Sequence, residues 1–217
     1  IGYRALELSS ADNNTATGYY ALSDNTTGRY NTASGSQALE SNTTGHSNTA
    51  TGYRALRSSV GGAANTAFGA QALGQTTGTS NTGIGYLVLY HTTTGYSNTG
   101  IGYLALMSNT GDKNVAVGAE ALRLNTTGSY NTASGHEALN TNTTGDYNTA
   151  IGYGADVYSG ALSNATAIGY NASVSTSNKI RLGNTSVTVI EGQVAFSNAS
   201  DRRLKKDITN TKYGLQT

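Results

Sequence analysis

A chain of 217 residues ordinarily suggests one or two globular domains, but 28 Gly, no Pro, no Cys and only 12% charged residues set this one apart. A formal net charge of +1 excludes a general electrostatic pull toward nucleic acid or an acidic membrane, and it is too small for the self-repulsion that keeps charged disordered chains open. There is no Cys for a disulfide framework, no run nears the roughly 18 apolar residues of a membrane-spanning helix, and no signal peptide opens the chain. What remains is a thin, regular structure held by backbone pairing and packing.

The first residues, Ile1-Gly2-Tyr3, match Ile151-Gly152-Tyr153 in the middle of a repeat, so the chain reads as an excerpt with export signals expected upstream. The word Asn-Thr-Ala-x-Gly, or a close variant, begins at Asn14, Asn31, Asn48, Asn65, Asn81, Asn98, Asn114, Asn131 and Asn148, every 17 residues with two contractions to 16. These nine units, with a partial one at each end, cover residues 1–170. Seventeen residues are too few for the helix pairs of most α-solenoids, and dense Thr, Asn and Gly oppose helix. The expected fold is therefore all-β, a parallel β-roll or β-solenoid of 17-residue coils. Each coil is expected to hold one short strand around NTAxGxxAL and another around NTTGxx, with Asn and Gly taking positive φ at the bends. Coils stacked about 4.8 Å apart would set identical words into ladders.

The columns follow from the period. Leu22, Leu39, Leu56, Leu73, Leu89, Leu106, Leu122 and Leu139 share one position and are expected to form the interior row. Small residues at Ala16, Ala33, Ala50, Ala67, Gly83, Gly100, Ala116, Ala133 and Ala150 would let opposite walls approach, which makes the core narrow. One buried Leu contributes about 1.5–3 kcal/mol, which falls short of the entropy lost in ordering a whole coil. The second apolar stripe, Phe68, Ile84, Ile101, Val117 and Ile151, is then expected to bury against neighbouring chains.

Other recurrences have plainer readings. Tyr19, Tyr53, Tyr86, Tyr103, Tyr153 and Tyr170 follow the Gly that closes the word, and cross-coil stacking is preferred over carbohydrate binding. His46, His91 and His136 lack metal-ligand spacing and read as surface residues. The Asn-x-Thr sequons serve turns and ladders, and the Gly recurs with the coil and opens no phosphate loop. Scattered carboxylates give no glycosidase pair.

The repeat words resemble the head repeats of trimeric autotransporter adhesins, the YadA-like parallel β-roll that also occurs in phage tail fibres. The resemblance covers about three-quarters of the chain, with a period somewhat longer than in the best-known heads. It implies a left-handed roll and a homotrimer.

Beyond 170 the repeat decays, and the alternation in Ser186-Val187-Thr188-Val189-Ile190 and Gln193-Val194-Ala195-Phe196 predicts half-buried strands. Residues 171–199 are expected to form an intertwined trimeric β collar. The following word, Ser200-Asp201-Arg202-Arg203-Leu204-Lys205-Lys206-Asp207-Ile208, with Lys212-Tyr213-Gly214-Leu215 after it, is similar to the opening of the intramolecular chaperone autoprocessing domain of phage tailspikes. Residues 200–217 would be its start. The resemblance implies a Ser-Lys peptidase that assembles the trimer and then cuts at Ser200-Asp201, with Ser200 as nucleophile and Lys205, or less favourably Lys206, as base. A Ser hydroxyl needs such a base, and a desolvated Lys can serve. The rest of that domain would have to position the pair, so no activity is expected of this segment alone. The basic cluster Arg202, Arg203, Lys205 and Lys206 lacks the aromatic interleaving of a nucleic-acid patch.

The expected function is a structural and adhesive extracellular fibre, on a virion, an injection device or a bacterial surface, with a host-surface glycan or protein as receptor. No cofactor, metal, nucleic acid or membrane insertion is expected. The alternative is an ice- or crystal-binding solenoid using Thr26, Thr43, Thr126 and Thr143, a row broken at Val60.

Overall fold

The computed structural model describes residues 1–191. Ser200, Asp201, Lys205, Lys206 and the stretch 193–196 lie outside the described residues. Of the two units into which the chain divides, the first, Ile1–Ser186, carries every strand that follows.

Each repeat word opens one very short strand: β1 (Thr15–Thr17), β2 (Thr32–Ser34), β3 (Thr49–Thr51), β4 (Thr66–Phe68), β5 (Thr82–Ile84), β6 (Thr99–Ile101), β7 (Val115–Val117), β8 (Thr132–Ser134) and β9 (Thr149–Ile151). Four more follow: β10 (Asp156–Val157), β11 (Thr166–Ile168), β12 (Ser173–Val174) and β13 (Ile180–Leu182). Eleven of them form one parallel sheet in chain order, with β10 and β12 paired apart, so the protein is an all-β parallel solenoid. Pairing is in register with the word: Thr15 faces Thr32, Ala16 faces Ala33, and Ala150 faces Ala167. The ladder does not stop at 170, because β13 still pairs with β11. The alternating stretch 186–190 forms no strand, and Val187, Val189 and Ile190 are exposed.

Within β1–β9 and β11 the central Ala or Gly points inward and its neighbours outward. The Leu column is interior as expected: Leu22 through Leu139 are all fully buried, alongside an Ala column from Ala21 to Ala138 in which Val88 replaces one Ala.

The second strand, expected around NTTGxx, does not form, and the first stops short of its Ala-Leu end. The Ala-Leu segment is a turn, and its Leu residues have φ between 50° and 57° where a strand needs extended backbone. Most coils carry three such left-handed residues other than Gly, for example Gln37 (φ 60°), Leu39 (φ 52°) and Ser47 (φ 58°). This conformation costs roughly 1–2 kcal/mol per residue. It persists because it aims successive N–H groups at opposite neighbours. Gln37 N–H donates to Tyr19 O in the coil before (2.7 Å), and Leu39 N–H donates to Ala55 O in the coil after (3.0 Å). The hydrogen-bond ladder thus continues where the strand does not.

The repeat Asn residues also depart from expectation. Those that open the word do not take positive φ; they are buried, and their carboxamides tie the coils together. Asn31 Oδ1 accepts the N–H of Asn48 in the next coil (3.0 Å), while Asn31 Nδ2 donates across its own coil to Gly45 O (2.8 Å). The pattern repeats to Asn148, whose Oδ1 accepts Ala165 N–H (2.9 Å). A second buried column, Asn25, Asn42, Asn109, Asn125 and Asn142, links its own members, as in Asn42 Nδ2 to Asn25 Oδ1 (2.9 Å) and Asn142 Nδ2 to Asn125 Oδ1 (2.7 Å). Ser59, Thr76 and Thr92 interrupt it, and Asn42 Oδ1, Ser59 Oγ and Thr92 Oγ1 are left without partners.

Two glycines in the small-residue column have a packing cause. Val88 carries two methyls more than the Ala of other coils, and a Cβ on Gly100 would lie 2.6 Å from Val88 Cγ2, while one on Gly83 would lie 3.1 Å from Cγ1. Gly100→Ala is expected to cost about 1–3 kcal/mol through overpacking. Adding Val88→Ala should recover most of that loss in urea unfolding. Simple addition of the two single effects would refute the packing account.

Candidate functional surface

The interior is filled by Leu, Ala and Asn, so chemistry available to a partner lies in the outward columns. The third strand position carries Phe68, Ile84, Ile101, Val117, Ile151 and Ile168, with exposures of 58%, 40%, 37%, 40%, 45% and 38%. These are six large apolar side chains in one row on a parallel sheet, interrupted only by Ser134. In the first three strands the same position holds Thr17, Ser34 and Thr51. The apolar row thus belongs to the later coils. Contiguous exposed apolar surface of this kind marks an interaction face.

Beside it, after the Gly turn, runs the aromatic column. Tyr3 stacks on Tyr19 (ring centroids 5.6 Å apart), Tyr86 on Tyr103 (5.9 Å) and Tyr153 on Tyr170 (5.7 Å). His136 belongs to the same column and stacks on Tyr153 at 5.1 Å, a role its sequence position allowed but which its residue type concealed. Tyr53 has Ser36 and Ala70 as column neighbours and receives instead the Arg54 guanidinium over its ring, 4.8 Å from the centroid. A second stack, Tyr130 on Tyr147 at 5.0 Å, lies at the residue just before the repeat word. The signal for it was the same period, applied to a variable position.

The Thr row proposed for a crystal surface has its hydroxyls engaged by the neighbouring coils. Thr26 and Thr126 hydroxyls donate to carbonyls of the following coil, Thr43 O and Thr143 O, both at 2.9 Å. Thr43 and Thr143 do likewise to Val60 O and Gly160 O at 3.1 Å. Among the described residues, no group of three or more His, Asp or Glu is placed to hold a metal ion.

Among the described residues, one carboxyl is perturbed. Asp156 occupies the register position of the Leu column one coil after Leu139, while β10 replaces the usual turn and Val157 enters the core. Its Oδ1 accepts Val157 N–H (2.8 Å) and its Oδ2 accepts Thr141 N–H (3.1 Å). Burial outweighs these contacts and, with Glu137 nearby, pushes the carboxyl up to about 6.

Comparison with protein-family models, curated proteins and solved structures returns no match to this chain.

The raised Asp156 carboxyl has a stability consequence. The folded chain holds a proton that the unfolded chain has released, so stability falls as pH rises from about 4 to 6 and is lower above it. Unfolding midpoints measured from pH 4 to 7.5 should decline more for the native chain than for Asp156→Asn across that window. Parallel curves would refute the assignment.

Proposed function

We propose that this chain is the head or shaft segment of a trimeric, extracellular adhesive fibre, of the YadA-like or phage tail-fibre kind. The observation that carries the reading is the exposed row Phe68, Ile84, Ile101, Val117, Ile151 and Ile168. A single coil has a core one Leu wide, and a row of this length on a regular sheet is best covered by an equally regular surface. Two further copies of the same chain supply one, with matching repeat spacing. The left-handed turn of the roll and an intertwined collar after the coils belong to the same reading.

The word Ser200-Asp201-Arg202-Arg203-Leu204-Lys205 extends it. In a precursor carrying the complete chaperone domain and once the trimer has formed, Lys205 takes the Ser200 hydroxyl proton, the oxygen attacks the carbonyl carbon of the Ser200-Asp201 bond, the proton passes to the departing Asp201 nitrogen as that C–N bond breaks, and water hydrolyses the resulting acyl intermediate. This step concerns the fibre's maturation, leaving the coils themselves without catalytic activity.

A second reading has its own support. Thr15, Thr32, Thr49, Thr66, Thr82, Thr99, Thr132, Thr149 and Thr166 open their strands on the same sheet face. A chain that stays monomeric would present this row to a crystal surface, with ice as the tested case.

Sedimentation equilibrium separates the two. The fibre reading expects a trimer for the native chain and its loss, with exposed apolar surface, for Ile84→Asp combined with Ile101→Asp. A stable monomer with thermal hysteresis would replace it with the crystal-binding reading. For maturation, the full-length precursor should yield two fragments on denaturing gels and Ser200→Ala only one; an uncut native precursor refutes that step.

A further inference from the structure

The coils between Asn48 and Ser97 carry a notch on their outer turn face. Two positions, three residues apart on the outer face of the Ala-Leu turn, hold a mutually satisfied pair in three of the coils. Gln37 Nε2 donates to Glu40 Oε2 (3.1 Å), Arg123 meets Glu120 (2.7 Å) and Arg4 meets Glu7 (3.4 Å). In the coil beginning at Asn48 both positions are cations, Arg54 and Arg57. In the coil after it they are Gln71 and Gly74. The pairing has lapsed, leaving two guanidinium groups beside a vacant side-chain position.

The surroundings make that gap a site. Arg54 Nε donates to Gln37 Oε1 (2.8 Å) and Arg57 Nε to Glu40 Oε2 (2.6 Å), both toward the preceding coil. Among the described residues, neither guanidinium uses an Nη group in a hydrogen bond or ion pair. Each is held through Nε, the Arg54 guanidinium lying also over the Tyr53 ring (4.8 Å), and both side chains line an opening of about 50 Å³ with Ser58, Gln71, Gly74, Gln75 and Tyr90. Tyr90 leans over Gly74, where any Cβ would strike its ring. Gln75 is held by His91 through Oε1 (Nδ1···Oε1 2.8 Å), leaving its amide N–H groups as donors.

Terminal Arg forks match the two oxygens of a carboxylate. Glu40 neutralises only one of the two cations, so the notch keeps a local positive charge on a chain of net charge +1. The Tyr90 wall, with amide donors beside it, supplies the apolar face and polar edge that a pyranose ring presents in complement. The geometry points to a binding site for a carboxylate-bearing sugar residue, the carboxylate held by Arg54 and Arg57, the ring against Tyr90. This names a receptor class for the adhesive reading and rests on that reading only for its biological sense.

The test is calorimetric titration of the native chain with polygalacturonate, with its fully methyl-esterified form, and with dextran sulfate. The acid form should bind and the ester, which keeps the ring and loses the charge, should not. Arg54→Gln with Arg57→Gln should weaken binding at least 10-fold. Gly74→Asn, whose Cβ would strike the Tyr90 ring and so fills the notch and displaces its wall, should do the same without altering charge. The exposed Arg29→Gln should bind as the native chain does, and matched melting curves exclude misfolding. Equal binding of acid and ester, retained binding by the double variant or by Gly74→Asn, or dextran sulfate binding of equal strength would each overturn the site. A trimer that ignores polygalacturonate removes the site and leaves the fibre; a monomer that binds it does the reverse.

Discussion

The carboxamide of the Asn that opens each repeat is the interaction on which the rest of this structure depends. It crosses the narrow interior of its own coil and reaches up to the next. Asn81 Nδ2 donates to Gly95 O (2.8 Å), and Asn81 Oδ1 accepts Asn98 N–H (2.9 Å). Only a short side chain with a donor and an acceptor on one planar group can do both. Asp would lose the donor and bury a charge, and Ser has no reach across the coil. The Gly that receives the cross-coil bond is equally constrained, since a Cβ on Gly95 would lie 2.5 Å from Gly111 O and 2.9 Å from Asn98 Nδ2. Coil spacing, Asn and Gly are one requirement expressed in three places.

That requirement explains which parts were legible in the sequence. The Leu and Ala columns could be read because burial demands one residue type and the period repeats it. The strand expected over Ala-Leu could not be excluded, because the left-handed positions carry Tyr, Gln, Arg, Leu or Glu in place of the Gly and Asn that usually signal them. There the fold overrides local preference, with cross-coil hydrogen bonds offsetting the strain. The Asn residues were read as bend formers because propensity is a property of one residue, whereas the carboxamide ladder is a property of two coils in register. The inner column from Asn25 to Asn142 was visible as a period but its burial was not.

The outward surface was legible only where like stacks on like. The Tyr columns and the apolar row are runs of similar residues at one position, so the period exposes them. The notch is the opposite case. It arises where Arg54, Arg57, Gly74 and Tyr90, unlike residues from three coils, meet because the solenoid sets their positions side by side. No window of sequence contains it. Ser200 and Lys205, by contrast, stand in a local word and were found by resemblance alone, outside the residues described.

A solenoid with this interior has little freedom in its core and much on its faces. Changing Leu, Ala, Asn or Gly disturbs every neighbouring coil, whereas the outward positions vary from Thr to Phe or from Glu to Tyr within one chain. Distinct faces can therefore carry distinct tasks. The strand face of the later coils holds an exposed apolar row broken at Ser134, and contacts along such a row accumulate coil by coil. The turn face holds the notch, where unlike side chains of three coils meet.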